Sequence, residues 1–243
     1  MRVTRTLLIS LLLLILTTGC VTYYNPVTQR EEKTLISEEM EIRIGKNAAS
    51  EVEREYRTYS SLRLENIGER VARSSHRPNL PYHFRVMESK EINAFALPGG
   101  FIYVTSKLME IADDDELAGV VGHEIAHVCC RHGVKKLEAQ LGYSLIASLI
   151  LSKEKADLIR LANTTFKLIS LGYSRKDEFQ ADELGTKYAF KAGFSADGLL
   201  RFLKKLKEIE KIGPQPLEFL STHPSVDKRI ERLEGLVKEL EKE

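Results

Sequence analysis

Apolar positions recur at two different periods along this chain. Met40, Ile44, Ala48 and Val52 return every four residues, which predicts a helix from Ser37 to about Tyr59. A second helix is predicted over roughly Ser61–Ser75, ended by Arg77-Pro78-Asn79-Leu80-Pro81. The period then drops to two. Tyr82–Met87 alternates, and two apolar runs, Asn93–Leu97 and Phe101–Val104, flank Pro98-Gly99-Gly100, the pattern of a β-hairpin. Leu117, Val120, Val121, Glu124, Ile125 and Val128 restore a helical spacing. Leu141–Leu151 is apolar and Lys153-Glu154-Lys155 interrupts it before another helical stretch, Ala156–Leu171. Leu145–Leu151 reads first as core and second as the apolar lip of a cleft. A helix begins near Ser174. The chain closes with a helix opened by Phe194-Ser195-Ala196-Asp197, a break at Gly213-Pro214, and a charged helix from Val226. The fold class is therefore α+β and mostly helical, with a small antiparallel sheet.

The 243 residues suffice for a buried core in one or two domains. Lys+Arg 36 against Asp+Glu 35 gives no basic excess, so nucleic acid is not an expected partner. The N-terminus has the pattern of a targeting segment. Arg2 and Arg5 precede a short apolar run, Thr6–Leu16, below the about 20 residues that a spanning helix needs. Leu16-Thr17-Thr18-Gly19-Cys20 then resembles a bacterial lipobox, although Thr17 stands where Leu is commoner. This gives a signal peptide over 1–19, a lipidated tether over 20–36 with Cys20 as the acylated residue, and a folded domain over 37–243. A plain secretory signal and an uncleaved anchor are the alternatives. Val21 after the modified Cys leans toward the outer membrane. The expected location is the cell envelope, with the domain in the periplasm. Cys129 and Cys130, adjacent in one helix, are expected as reduced buried thiols, because a vicinal disulfide does not fit a helix. Cys130 lies seven residues after His123, so a metal role is conceivable, with packing favoured.

The densest chemistry lies in Asp113–Arg131, DDDELAGVVGHEIAHVCCR. Asp113, Asp114 and Asp115 each suit a helix N-cap. His123 and His127 are four apart, hence on one helical face and one turn apart, where both imidazoles can bind one zinc ion. Glu124 between them can reach a water that the metal activates. Gly119 and Gly122 each cost the helix about 1 kcal/mol relative to Ala, so close packing of substrate or another backbone is expected there. A buried helix with two core histidines is the competing reading. In Gly172–Asp182, Glu178 and Asp182 are also four apart. Glu178 could complete the three protein ligands that catalytic zinc takes, with Asp182 accepting a hydrogen bond from a ligand histidine. Alone, the two acids would read as a solvated face. His223, before Pro224, sits in extended or turn backbone.

The ordered pieces NAFALPGGFIYV, ELAGVVGHEIAHV, YSRKDEFQAD and STHPSVDKRI resemble the HtpX and CAAX-prenyl-protease family of zinc metallopeptidases, small bacterial lipoprotein or periplasmic type. The resemblance covers about Ser37–Arg232. It implies a zincin-like metalloprotease domain with the small sheet packed on the H-E-x-x-H helix and one zinc per chain. It also implies the ligands His123, His127 and Glu178, a catalytic Glu124, and Asp182 behind the ligands. By the same resemblance His223 would be an inhibitory fourth ligand, and Arg229 would contact the substrate or the reacting carbonyl oxygen. The family's membrane-embedded members carry several transmembrane helices, and the relative that assists barrel assembly carries a tetratricopeptide repeat domain; neither feature is found in these 243 residues.

The function expected is zinc-dependent endoproteolysis of misfolded or unassembled envelope proteins. Protein or peptide substrates would pair along Asn93, Ala94 and Phe95 as an edge strand, with an ordinary hairpin packed under the helix as the plainer alternative. The partners expected are such substrates, a membrane through the N-terminal lipid, and envelope assembly machinery. Two rivals stay open: a latent or chaperone-like zinc lipoprotein whose site is closed by His223, and a structural zinc domain without catalysis.

Overall fold

The computed structural model describes residues 21–25, 27–152, 155–212, 217–224 and 226–242. The stretch expected as a signal peptide, Cys20, the Lys153-Glu154 break, Gly213-Pro214 and Ser225 lie outside them. In chain order the elements are β1 (Val21–Asn25), β2 (Arg30–Thr34), α1 (Glu38–Glu55), β3 (Thr58–Tyr59), α2 (Leu62–Arg73), β4 (His83–Met87), β5 (Ala94–Leu97), β6 (Phe101–Thr105) and α3 (Ser106–Ile111). There follow α4 (Asp114–Cys129), α5 (His132–Ser152), α6 (Lys155–Ser170), α7 (Arg175–Lys191), α8 (Gly198–Ile212), α9 (Glu218–Thr222) and α10 (Val226–Leu240). No helix among the described residues is long and apolar enough to cross a membrane.

α4 is the axis of the molecule. Leu117, Val120, Val121, Ile125 and Val128 are all buried in the main core, because α2, α7, α8 and the sheet surround the helix. Asp113 is the N-cap: its carboxylate accepts from the Glu116 amide at 2.8 Å, and the Glu116 carboxylate accepts from the Asp113 amide at 3.0 Å, a reciprocal capping box. The glycines answer the question their spacing posed. A Cβ on Gly119 would meet the Leu199 amide at 2.4 Å, and one on Gly122 would meet the Gly185 carbonyl at 2.5 Å. Backbone, from α8 and from α7, is what packs so close.

The four-stranded sheet has the order β3-β4-β6-β5. β5 and β6 form the expected antiparallel hairpin through Pro98–Gly100, where Gly99 and Gly100 take φ +74° and +94°. β4 adds to β6 in parallel and β3 to β4 antiparallel. α1 stops at Glu55 rather than near Tyr59 because Thr58 and Tyr59 pair with Met87 and Val86.

The stretch read as a polar tether forms the β1–β2 hairpin in the structure, with Val21 opposite Thr34. Glu32 accepts from the Tyr23 hydroxyl at 2.7 Å and the Asn25 amide at 2.8 Å. Arg131 lies over the Tyr23 ring, and Thr34 donates to Glu138 at 2.6 Å, which ties the hairpin to the domain. Of the apolar Leu141–Leu151 stretch, Ile146 is buried in a core cluster with Ile36, Ile44 and Leu161.

Candidate metal centre

His123 and His127 project from α4, Glu178 from α7, and His223 from the segment after α9. One donor atom from each lies within 4.8 Å of the others, and all four side chains are buried. His127 Nε2 is 3.0 Å from His123 Nε2, and His123 Nε2 is 3.3 Å from His223 Nδ1. Glu178 oxygens lie 3.5 Å from His123 Nε2 and 3.4 Å from His127 Nε2. α7 is set for this by Ser174, which caps it with Asp177, and by the Gly122–Gly185 contact that brings its backbone against α4.

The donor set fits zinc. Three imidazole nitrogens and a carboxylate turned on one point are the ligand types of four-coordinate zinc, and buried lone pairs that close repel unless a cation or protons lie between them. Both Glu124 carboxylate oxygens are buried without a hydrogen-bond partner, beside the same point. Burial raises the Glu124 carboxyl above its ordinary range, against the nearby His223 and His123. Such a group exchanges a proton readily once an activated water is near it. Cys130 is outside the donor group; it is the buried C-cap of α4, with its thiol pushed up by burial.

Behind the donors lies a buried ion network. Asp182 Oδ1 is 2.9 Å from His123 Nδ1, which leaves Nε2 for the metal side. Arg229 is 0% exposed. Its Nε and Nη2 donate to the two Asp182 oxygens at 2.8 and 2.6 Å, and its Nη1 donates to the His223 carbonyl at 3.1 Å and lies 3.1 Å from Glu178. The resemblance implied that Arg229 contacts the substrate or the reacting carbonyl oxygen; in the structure its guanidinium is engaged with Asp182, the His223 carbonyl and Glu178. Desolvation opposes the charge on Asp182, but Arg229 and His123 hold its carboxyl below the usual range. Burial and the Arg229 charge push His123 down, yet Asp182 and Glu178 outweigh them and raise it to about 9.

His223 Nδ1 is 3.1 and 3.2 Å from the two Glu178 oxygens, and its Nε2 is 3.6 Å from Glu124. It is thus the fourth member of the buried donor group and lies beside Glu124 as well. A cavity of about 130 Å³ adjoins it, lined by Phe95, Glu124, Phe166, Ile169, Tyr173 and His223 among others. β5 ends the sheet on this side. Asn93 falls just before the strand, where its side chain accepts from the Ala94 amide at 2.9 Å. Ala94 is buried, and its carbonyl is 3.5 Å from His223 Nε2. Phe95 stacks on Tyr103 at 5.2 Å between centroids.

Two neighbours of the site escaped sequence reasoning. The Tyr173 ring stacks on His127 at 4.2 Å, and His132 Nδ1 lies 2.9 Å from His127 Nδ1. His132 follows His127 by five, off the helical face, and reaches it only because the chain turns at Arg131, φ 55°. A third histidine so close after the motif was the one available signal.

Residues 59–237 match the model of peptidase family M48. The chain belongs to that family. It is 31% identical over 180 residues to the beta-barrel assembly-enhancing protease of Escherichia coli K12, covering 69% of this chain and 37% of that protein. It is 30% identical over 224 residues to the mitochondrial metalloendopeptidase OMA1 of Schizosaccharomyces pombe, covering 87% of this chain and 65% of that one. With the metalloprotease LoiP of Escherichia coli K12 it shares 29% over 159 residues, 63% of this chain and 62% of the relative. The chain spans less than two fifths of the barrel-assembly protease and under two thirds of the other two.

Proposed function

We propose that this protein is a zinc endopeptidase of the bacterial cell envelope that hydrolyses unfolded or unassembled proteins. One observation carries the reading: the buried, unpartnered carboxylate of Glu124 beside the His123, His127 and Glu178 donors. A closed structural zinc site has no use for such a group. When bound, zinc supplies Lewis acidity toward the water and the scissile carbonyl. Glu124 takes a proton from the attacking water and returns it to the leaving amine. Asp182 and Arg229 hold His123 and Glu178 in place. The substrate lies extended along β5, and an apolar side chain enters the cavity under Phe95, Phe166 and Ile169. Folded proteins bury both features, so the site selects chains that have lost or not reached their fold. The lipobox-like Leu16–Cys20 and the likeness to beta-barrel assembly-enhancing proteases support an anchored, periplasmic placement.

His223 supports a second reading, a latent form. Its Nδ1, 3.3 Å from His123 Nε2 and 3.1 Å from Glu178, can take the fourth ligand position that substrate or water would need. Cleavage then requires the segment after α9 to withdraw. The two readings separate on one protein substrate offered native and permanently unfolded. The protease reading expects wild type to cleave the unfolded form at least tenfold faster, and His223→Ala to raise both rates. Equal cleavage of both forms would sink the selection of unfolded chains. Cleavage by His223→Ala alone would make the enzyme latent.

A further inference from the structure

His127 can ligate zinc only through a bare Nε2, since that nitrogen faces His123 and Glu178. Its ring proton must then sit on Nδ1. The neighbour there is another imidazole, His132, with Nδ1 at 2.9 Å. Two ring nitrogens at that distance share one proton, so His132 Nδ1 is bare and accepts from His127. The His132 proton is thereby assigned to Nε2, which lies 3.1 Å from Gln180 Oε1. The Asp177 carboxylate, partly exposed, stands 3.5 Å from the same nitrogen. Each ring carries one proton, and each proton points away from the metal point. The arm is enclosed: His132 is 4% exposed and the Tyr173 ring packs against both imidazoles.

We propose that His132 and Gln180 are positioning residues that fix the tautomer and aim of His127, as Asp182 does for His123. α7 then braces both ligand histidines from behind, one through a carboxylate and one through a neutral relay. A second buried carboxylate directly behind His127 would add negative charge close to Glu124 and Glu178, and the relay avoids that. The proposal rests on the zinc reading above.

The test uses the full-length chain in detergent, with the zinc dissociation constant read by chelator competition. Wild type is compared with His132→Leu, His132→Asn and Gln180→Leu. Asn carries its amide oxygen where the imidazole carries Nδ1, so it keeps the acceptor. Loss of such partners weakens metal affinity by roughly 10–100-fold. That loss is expected for His132→Leu, with most of it recovered in His132→Asn and a smaller loss in Gln180→Leu. Nitrogen-15 spectra of the zinc-loaded wild type should show His127 protonated on Nδ1, and circular dichroism of the zinc-free variants checks that they fold. If His132→Leu does not fold, His132→Asn, Gln180→Leu and the wild-type spectrum still decide the matter. Wild-type affinity in folded His132→Leu, an Asn variant no better than the Leu variant, or a His127 proton on Nε2 would overturn the relay while leaving zinc in place. A wild type that binds no zinc would overturn the zinc reading and the relay with it.

Discussion

Arg229 shows what single residues do here. It is one cation, 0% exposed, serving Asp182, Glu178 and the His223 carbonyl at once. Removing one partner of a buried pair leaves the other charge stranded, at a cost of about 3–5 kcal/mol. Arg229→Ala should therefore lower the unfolding free energy of the zinc-free protein, read from urea denaturation, by that amount, and Arg229→Lys should recover little, because a lysine cannot make the two-pronged contact with Asp182. A small loss in Arg229→Ala would mean that Asp182 and Glu178 find other partners. His123 makes a pH prediction. Its folded value, about 9, lies above the ordinary imidazole range, so the metal-free protein holds a proton there that zinc must displace. Zinc affinity should rise by about tenfold per pH unit from 7 to 8 and level off above 9. By the same linkage, the His123 contribution to metal-free stability is complete below about pH 6.5 and is lost as pH rises through 9. A flat affinity profile from pH 7 to 9 would contradict it. The histidine pair was legible in the sequence because a four-residue spacing on a helix is geometry. The role of Glu178 and Asp182 was legible only beside the H-E-x-x-H motif, since two acids four apart are also common on wet surfaces. His132 was not legible, because its approach depends on the turn at Arg131 and not on a helical period.

Among the elements, the contact of α4 with α7 decides how near Glu178 comes to the histidines. Gly122 and Gly185 let the two backbones touch, and a Cβ on Gly185 would meet the His123 amide at 2.4 Å. Gly185→Ala should push the helices apart. The expected result is a stability loss of about 1–3 kcal/mol from overpacking, with weaker zinc binding beyond it, measured by denaturant unfolding of the metal-free form and by chelator competition. Unchanged zinc affinity would show that the ligand set does not depend on this contact. The glycines announced a close approach in the sequence, but not which element made it. The β1–β2 hairpin was illegible for a different reason. Its turn carries Gln29 at φ 54°, where Gly or Asn would have been the signal. Its strands are polar, held by Glu32 bonds and by Arg131 over Tyr23 rather than by an apolar face.

At the scale of the whole molecule, the sheet, α4, α7 and the segment after α9 converge on one buried point, with an apolar cavity beside it and, among the described residues, the edge strand β5 near it. The mostly helical α+β fold was readable from the periods alone. The parallel pairing of β4 with β6 was not, since nothing local distinguishes it from a meander. If this convergence hydrolyses peptide bonds through Glu124, casein cleavage by the zinc-loaded chain, with bound zinc counted, separates wild type from Glu124→Gln. One zinc per chain is expected in each, with a rate in Glu124→Gln lower by at least about 10²–10⁴-fold. Equal rates in the two, or no cleavage by wild type and His223→Ala alike while both hold zinc, would contradict it.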